Sequence, residues 1–145
     1  MSSITIPLKL INLQDDGFHL LVEIVIFKQS HLAVLDTGAS RSVFDKTLLE
    51  QHLTENPSAE EPSTDESYAT TLFSTSNTLT ATVPVLKLGS LKLKKYAAVG
   101  LDLQSVNETY QQLGHPVIAG IIGGDILVQY RGVINYKKLT LKLYK

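Results

Sequence analysis

The fold is decided by residues 32–40, LAVLDTGAS, in which an apolar strand runs directly into a turn. The strand ends at Asp36-Thr37-Gly38, so a carboxylate, a hydroxyl and a glycine stand together at the start of that turn. These are common turn residues, and the triplet alone is weak support for any chemistry. A second element, IIGGDIL at residues 121–127, follows later in the chain. Two such elements in this order are far more specific than either one.

The paired elements resemble the retropepsin-like aspartic proteases, and particularly their small bacterial relatives. In that family the catalytic loop reads apolar-Asp-Thr/Ser-Gly-Ala, as residues 35–39 do, and a later Ile-Ile/Leu-Gly-x-Asp/Asn-x-Leu packs behind it, as in residues 121–127. Residues 107–110 (NETY) and 133–138 (VINYKK) also look like the bacterial branch. The resemblance covers nearly the whole chain. It implies one domain over residues 1–145, mostly β, forming a small closed barrel with two or three short helices.

The resemblance further implies an aspartic endopeptidase whose catalytic residue is Asp36. The sequence holds a single Asp-Thr-Gly, so the second carboxylate would be the Asp36 of another copy, in a homodimer with its site on the two-fold axis. Thr37 would hydrogen-bond to the partner loop, Gly38 would permit close approach of the loops, and Ala39 would line the cleft. The structural support behind the site would come from Ile121, Ile122, Gly123, Gly124 and Asp125.

Paired carboxylates suit hydrolysis of a peptide or protein substrate because they cannot both ionise easily and therefore share one proton. The ionised member takes a proton from a bound water, which attacks the peptide carbonyl. The protonated member hydrogen-bonds to the carbonyl oxygen, and the dyad later protonates the leaving nitrogen. This chemistry requires no cofactor and no metal. The histidines show no metal-ligand spacing; they are His19, His31, His52 and His115.

The sequence departs from the retroviral enzymes beside the catalytic loop. Those enzymes commonly have an acid after Gly-Ala and an arginine after the later glycine, whereas this chain has Ser40 and Gly124 at the matching places. Both halves of that ion pair are therefore missing. The dimer support or substrate-backbone contacts of that pair must then come from elsewhere, and we expect the Ser40 hydroxyl to provide part of them.

The flap, the hairpin that closes over substrate in this family, is a second departure. Its tip is usually rich in glycine, but the matching tip here contains none and consists of Phe73, Ser74, Thr75, Ser76 and Asn77. Asparagine tolerates a left-handed conformation, so a tight turn is still expected. The tip should be less flexible than a glycine-rich one.

Composition excludes several classes of function. The chain has 145 residues with 13 basic and 14 acidic side chains, so it has no broad electrostatic footprint for nucleic acid or an anionic membrane. Cysteine is absent, which excludes disulfides, thiolate nucleophiles and cysteine-based zinc sites. The sequence shows neither a signal pattern nor a membrane-spanning stretch, and it predicts a soluble, cytoplasmic protein.

Apolar periodicity and turn residues predict the individual elements. Strands are expected at residues 4–10, 18–27, 31–35, 68–73, 79–88, 91–101 and 117–122, with a closing hairpin of 132–136 and 139–144. Pro7 predicts that the first strand lies at a sheet edge. Helices are expected at residues 45–53, capped by Asp45, after a capping box at residues 105–108, and as a turn at 125–130. The segment 54–67, rich in Glu, Ser, Thr and Pro, predicts a mobile acidic loop.

Two other interpretations of the sequence compete with the dimeric endopeptidase. One is a protease-like fold that binds peptides or assists assembly with little or no turnover, which the glycine-free flap and the missing ion pair favour. The other is a purely structural domain, which leaves the paired motifs unexplained. In the enzyme, the terminal residues 4–10 and 139–144 are the expected dimer interface, by resemblance.

Overall fold

Eleven strands and three helices follow one another in the described part of the chain. The computed structural model describes residues 2–55, 68–70 and 75–145. The strands are β1 (Ser3–Asn12), β2 (Phe18–Ile26), β3 (Gln29–Leu35), β4 (Val43–Asp45), β5 (Tyr68–Thr70), β6 (Thr75–Asn77), β7 (Leu79–Leu88), β8 (Leu91–Leu101), β9 (Gly120–Ile122), β10 (Val133–Asn135) and β11 (Thr140–Tyr144). The helices are α1 (Lys46–Glu55), α2 (Gln104–Gln112) and α3 (Gly124–Gln129).

Six strands close into a barrel. The large sheet has the order β10-β11-β1-β2-β3-β9-β4-β8-β7, and β7 also pairs with β2, so the run from β2 to β7 forms a ring. Within the ring β3 and β9 are parallel, as are β4 and β8, whereas the other pairs are antiparallel. The predicted closed, mostly β barrel is confirmed. Strands β10 and β11, with the first half of β1, extend the sheet beyond the ring.

Two apolar clusters stabilise the barrel. Alternate residues of β2, such as Leu20, Val22 and Ile24, point into the barrel interior and are buried there with Phe44 and Ile122. The residues between them face outwards, and Leu21 joins a second cluster beneath α2. That second cluster includes Val34, Val43, Val99, Tyr110 and Ile118. Strand β2 is therefore buried on both faces at Leu20, Leu21 and Val22, as its mainly apolar sequence indicates.

The edge position predicted for the first strand is wrong. The first half of β1 pairs with β11, ending at Pro7 opposite Thr140, and the second half pairs with β2 from Leu8 onwards. Pro7 therefore stands where the partner strand changes, a place where the hydrogen-bond ladder is interrupted in any case. Leu8 resumes the bonding by donating its N–H to the Leu139 carbonyl at 2.8 Å.

The capping box predicted for α2 is also wrong, because the acceptor at the helix start is Asp102. Its Oδ1 accepts the N–H of Gln104 at 2.9 Å, and α2 begins at that residue. Ser105 consequently lies inside the helix, where its carbonyl accepts the Thr109 hydroxyl at 3.1 Å. For α1 the predicted cap is present, since Asp45 Oδ1 accepts the Thr47 N–H at 3.4 Å.

The hairpin expected to form the flap holds part of its predicted tip in a strand. Strand β5 pairs with β6 such that Tyr68 stands opposite Asn77 and Thr70 opposite Thr75. Residues Thr75, Ser76 and Asn77 therefore belong to a strand rather than to the turn. Phe73 and Ser74 lie outside the described residues, as does most of the acidic segment predicted to be mobile.

Candidate active site

The loop that follows β3 holds Asp36 at the protein surface. The parallel pairing of β3 with β9 continues one residue beyond Leu35, since the Asp36 N–H donates to the Ile122 carbonyl at 2.9 Å. The chain then turns, and Asp36 Oδ1 accepts the N–H of Gly38 at 2.8 Å. Asp36, Thr37 and Gly38 are all exposed. The backbone thus fixes one carboxylate oxygen and leaves the side chain accessible.

The segment 121–125 lies in direct contact with this loop. Gly124 donates its N–H to the Ala39 carbonyl at 2.7 Å. A Cβ atom on Gly123 would lie only 2.5 Å from that same carbonyl oxygen, whereas one on Gly124 would lie at 3.5 Å. Ala39 itself is buried. The close approach of the two backbones therefore requires glycine at position 123 but not at position 124.

Ser42 joins the two segments through hydrogen bonds, a role that sequence reasoning did not identify. Ser42 is only 1% exposed, and its hydroxyl donates to Asp125 Oδ1 at 2.7 Å while accepting the Gly123 N–H at 2.9 Å. Its backbone N–H donates to the same Asp125 oxygen at 2.9 Å. Ser40 is exposed. The signal available in the sequence was that Ser42 directly precedes the apolar pair Val43-Phe44, where a hydroxyl becomes buried.

Asp125 organises the start of α3 from inside its first turn. Besides the two bonds from Ser42, its Oδ1 accepts the N–H of Ile126 at 2.9 Å. Its charge also acts on Tyr96. The pKa of that phenol is raised to about 12, primarily because the side chain is buried and secondarily because Asp125 is near. Asp125 is thus a structural carboxylate that positions the segment behind Asp36.

Tyr110, on α2, has the rings of His19 and His115 as neighbours, an association that sequence reasoning missed. The Tyr110 hydroxyl and His19 Nδ1 share a hydrogen bond of 2.6 Å, and His115 donates from Nε2 to the Asn12 carbonyl at 2.7 Å. Burial raises the pKa of Tyr110 to about 12, and the charge of Asp36 adds to the shift. The charge of Asp36 therefore contributes to the raised pKa of Tyr110, and the phenol stays protonated at neutral pH.

The described residues offer no alternative centre for metal chemistry. Within this part of the chain, no group of three or more histidine and carboxylate side chains is placed to hold a metal ion. His52 instead stacks on Phe27, with ring centroids 3.9 Å apart. Among the described helices, none is both long and apolar enough to cross a membrane.

A comparison with protein families gives a match to the aspartyl protease model over residues 22–126. This chain belongs to the aspartyl protease family. The matched region takes in both Asp36 and Gly123, the two sides of the loop contact described above. A search of curated proteins finds no match.

Two solved structures share the fold of this aspartyl protease family member. A retropepsin-like aspartic protease from Rickettsia conorii aligns with a TM-score of 0.53 at 15% identity, covering 99% of this chain and 91% of the other. The retroviral protease-like domain of Ddi1 from Leishmania major aligns with a TM-score of 0.55 at 16% identity, covering 86% and 87%. The fold is therefore retropepsin-like, and the family and fold together support a protease-type, hydrolytic function.

Proposed function

We propose that this aspartyl protease family member is an endopeptidase that works as a homodimer and hydrolyses peptide bonds with a water held between two Asp36 carboxylates. The observation that carries the proposal is the loop geometry. Asp36 is exposed at the end of β3, one of its oxygens is fixed by Gly38, and its loop rests on the Gly123-Gly124 segment. A carboxylate so presented is available to a second copy of the same loop.

The other described aspartates near the barrel have different tasks, which favours a partner carboxylate from another chain. Asp125 accepts the bonds from Ser42, Asp45 begins α1, and Asp102 begins α2. Asp36 is exposed, and its Oδ1 accepts the backbone N–H of Gly38. A two-fold axis beside the loop would bring two copies of Asp36 together. The exposed Thr37 would then bond across to the partner loop.

In the proposed reaction the paired carboxylates hold one proton between them. The ionised Asp36 removes a proton from the water, which attacks the carbonyl carbon of the peptide bond, and the protonated Asp36 hydrogen-bonds to the carbonyl oxygen. Transfer of a proton to the amide nitrogen then releases the two products. The β5–β6 hairpin is the proposed flap over the substrate, with Ala39 beneath it and no metal or cofactor involved.

An exposed apolar surface beside the site is the proposed dimer contact. Val128 on α3 is 79% exposed, and Val133 and Tyr136, on and just after the outermost strand β10, are 50% and 68% exposed. Helix α3 begins at the glycine that bonds to the catalytic loop. The terminal strands named from the sequence are less suited to pair with a second copy, because β1 and β11 pair with each other within the chain.

The substitution Asp36→Asn tests the proposed chemistry. It nearly preserves side-chain shape but removes the acid-base group, so we expect an unchanged circular dichroism spectrum and a loss of peptide hydrolysis of at least roughly a hundredfold. Cleavage of a peptide library, read by mass spectrometry, is the measurement. Asp125→Asn serves as the matched control, since it should lower stability through Ser42 rather than abolish the reaction. Full cleavage by a folded Asp36→Asn protein would refute the role of Asp36.

The competing proposal is a peptide-binding or assembly module with little or no turnover. It is favoured by the absence of the retroviral ion pair at Ser40 and Gly124. The two proposals differ in the same experiment. A binding module would retain library peptides intact in both the wild-type protein and Asp36→Asn, whereas the enzyme would release cut products only from the wild type.

A further inference from the structure

A groove rich in lysine lies on the outer face of the barrel, at the end away from Asp36. Its volume is about 820 Å³, and it is lined by residues of β2, β7, β8 and α1. The basic residues are Lys28, Lys87, Lys92 and Lys94, and the aliphatic floor is formed by Val25, Pro84 and Val85. Among the described residues that line it, only Glu55 is acidic. Strand β3 separates Lys28 from Asp36, a distance of roughly 25 Å at the usual rise per residue.

The lysines are arranged in a way that sheet stability does not favour. Lys87 and Lys92 stand directly opposite each other on β7 and β8, and Lys94 stands opposite Val85 on the same face. Like charges at directly opposed positions destabilise a sheet. An anion bound between them would remove the repulsion. Lys92 and Lys94, two residues apart on one strand, are separated by roughly 7 Å, which is also the repeat of alternate side chains in an extended peptide.

The backbone beside the groove is strained at the same end of the barrel. The turn between β2 and β3 holds Phe27 at a φ of 53° and Lys28 at 64°, although the left-handed region favours glycine or asparagine. Lys95, next to Lys94, has a φ of 50°. Residues held in such conformations concentrate at functional sites. Two local rules, one on charge pairing and one on backbone conformation, are therefore broken around one groove.

From these observations we propose that the groove is a docking site for an acidic, extended peptide segment of a partner protein, separate from the active site. Acidic side chains at alternate positions would meet the lysines, and an aliphatic side chain would cover Val25 and Val85. A nucleic acid fits less well. The groove contains no arginine among its described lining residues, and its aromatic ring, Phe27, is stacked on His52 rather than offered to a base.

The test is fluorescence anisotropy with a fluorescein-labelled peptide in which glutamates alternate with serines around one central leucine. We expect binding at low salt that weakens steeply as salt is added. The double substitution Lys87→Gln and Lys92→Gln should weaken binding by roughly tenfold. The matched control, Lys137→Gln with Lys138→Gln, changes the net charge equally on an exposed turn outside the groove and should bind like wild type. Asp36→Asn should also bind like wild type.

Several results would overturn the proposal. They are no binding to the wild type at low salt, equal weakening by both lysine pairs, equal binding of a peptide with glutamine in place of glutamate, or loss of binding in Asp36→Asn. Tighter binding of a single-stranded RNA oligonucleotide would assign the groove to a different class of partner. Binding that appears only when Glu60, Glu61, Asp65 and Glu66 are replaced by glutamine or asparagine would assign it to the chain's own acidic segment.

Discussion

Ser42 makes several of the hydrogen bonds that hold the site together, although it lies outside the catalytic motif. Its hydroxyl connects the segment after the catalytic loop to Gly123 and Asp125, more than 80 residues away in sequence. The partners are a backbone N–H and a carboxylate, and the serine itself is buried. Such a group is costly to leave without its hydrogen bonds. A buried hydroxyl thus links the segment after the catalytic loop to a backbone N–H and a carboxylate of the segment behind it.

The substitution Ser42→Ala should lower the free energy of unfolding by about 1–3 kcal/mol, because the Gly123 N–H and Asp125 lose their buried partner. Ser105→Ala, at an exposed serine on α2, should change it by less than about 0.5 kcal/mol. Urea unfolding of both variants is the measurement. Equal stability of the two variants would show that the Ser42 bridge is not needed.

Tyr110 provides a pH-dependent test of the surroundings of Asp36. An unfolded tyrosine ionises near pH 10, whereas Tyr110 in the folded protein does so near pH 12. Between these values the unfolded state binds fewer protons, so the free energy of unfolding falls as the pH rises, while below pH 10 the contribution is complete. We expect Tyr110 to account for roughly 1–2 kcal/mol of this alkaline loss after solvent screening.

The measurement is urea unfolding at about pH 8 and about pH 11 for wild type and Tyr110→Phe. The variant should lose less stability between the two pH values than wild type does. An alkaline loss of the same size in both proteins would mean that Tyr110 does not have the raised pKa described here.

At the scale of elements, the contact between the catalytic loop and the entry to α3 depends on a glycine. Gly123→Ala would push a Cβ against the Ala39 carbonyl oxygen, and we expect it to cost roughly 1–3 kcal/mol. Gly124→Ala has ordinary van der Waals room at 3.5 Å and should change stability by less than about 1 kcal/mol, in either direction. Thermal unfolding compares them. An equal loss in both would contradict the close approach at position 123.

The sequence predicted the longer elements well and the short ones poorly, for physical reasons. The mainly apolar run of β2 and the alternation in β7 and β8 indicated strands, and the paired motifs marked the two sides of the site. Strand β4 has only three residues and so shows no period. At the start of α2 the sequence analysis favoured Ser105, whereas the acceptor in the structure is Asp102, three residues earlier. The position of Ser42 before Val43-Phe44 indicated a buried hydroxyl, but not its partners, which lie more than 80 residues away in sequence.

At the scale of the whole molecule, one chain presents one Asp36, and the proposed activity therefore depends on association. Specific activity per chain should fall on dilution below the dimer dissociation constant, and an inhibitor that occupies both halves should oppose the fall. Activity and sedimentation measured across one dilution series give the test. A sedimenting monomer with full activity per chain would contradict the shared site.

The apolar surface at α3 gives this prediction a structural control. Val128→Glu would place a charge in the proposed contact and should raise the dimer dissociation constant roughly tenfold or more. Val117→Glu, at another valine that is about half exposed, should leave it unchanged. If both substitutions left the dissociation constant unchanged, the dimer contact would have to lie elsewhere on the molecule.

The central claim, that two chains contribute one Asp36 each, is tested most directly by mixing wild-type protein with Asp36→Asn and allowing the subunits to exchange at a fixed total concentration. Mixed dimers would contain a single Asp36 carboxylate and therefore no catalytic pair. The shared site predicts that activity falls as the square of the wild-type fraction, since only dimers with two wild-type chains are active. Activity proportional to the wild-type fraction itself would mean that each chain hydrolyses peptides alone, and it would contradict the account.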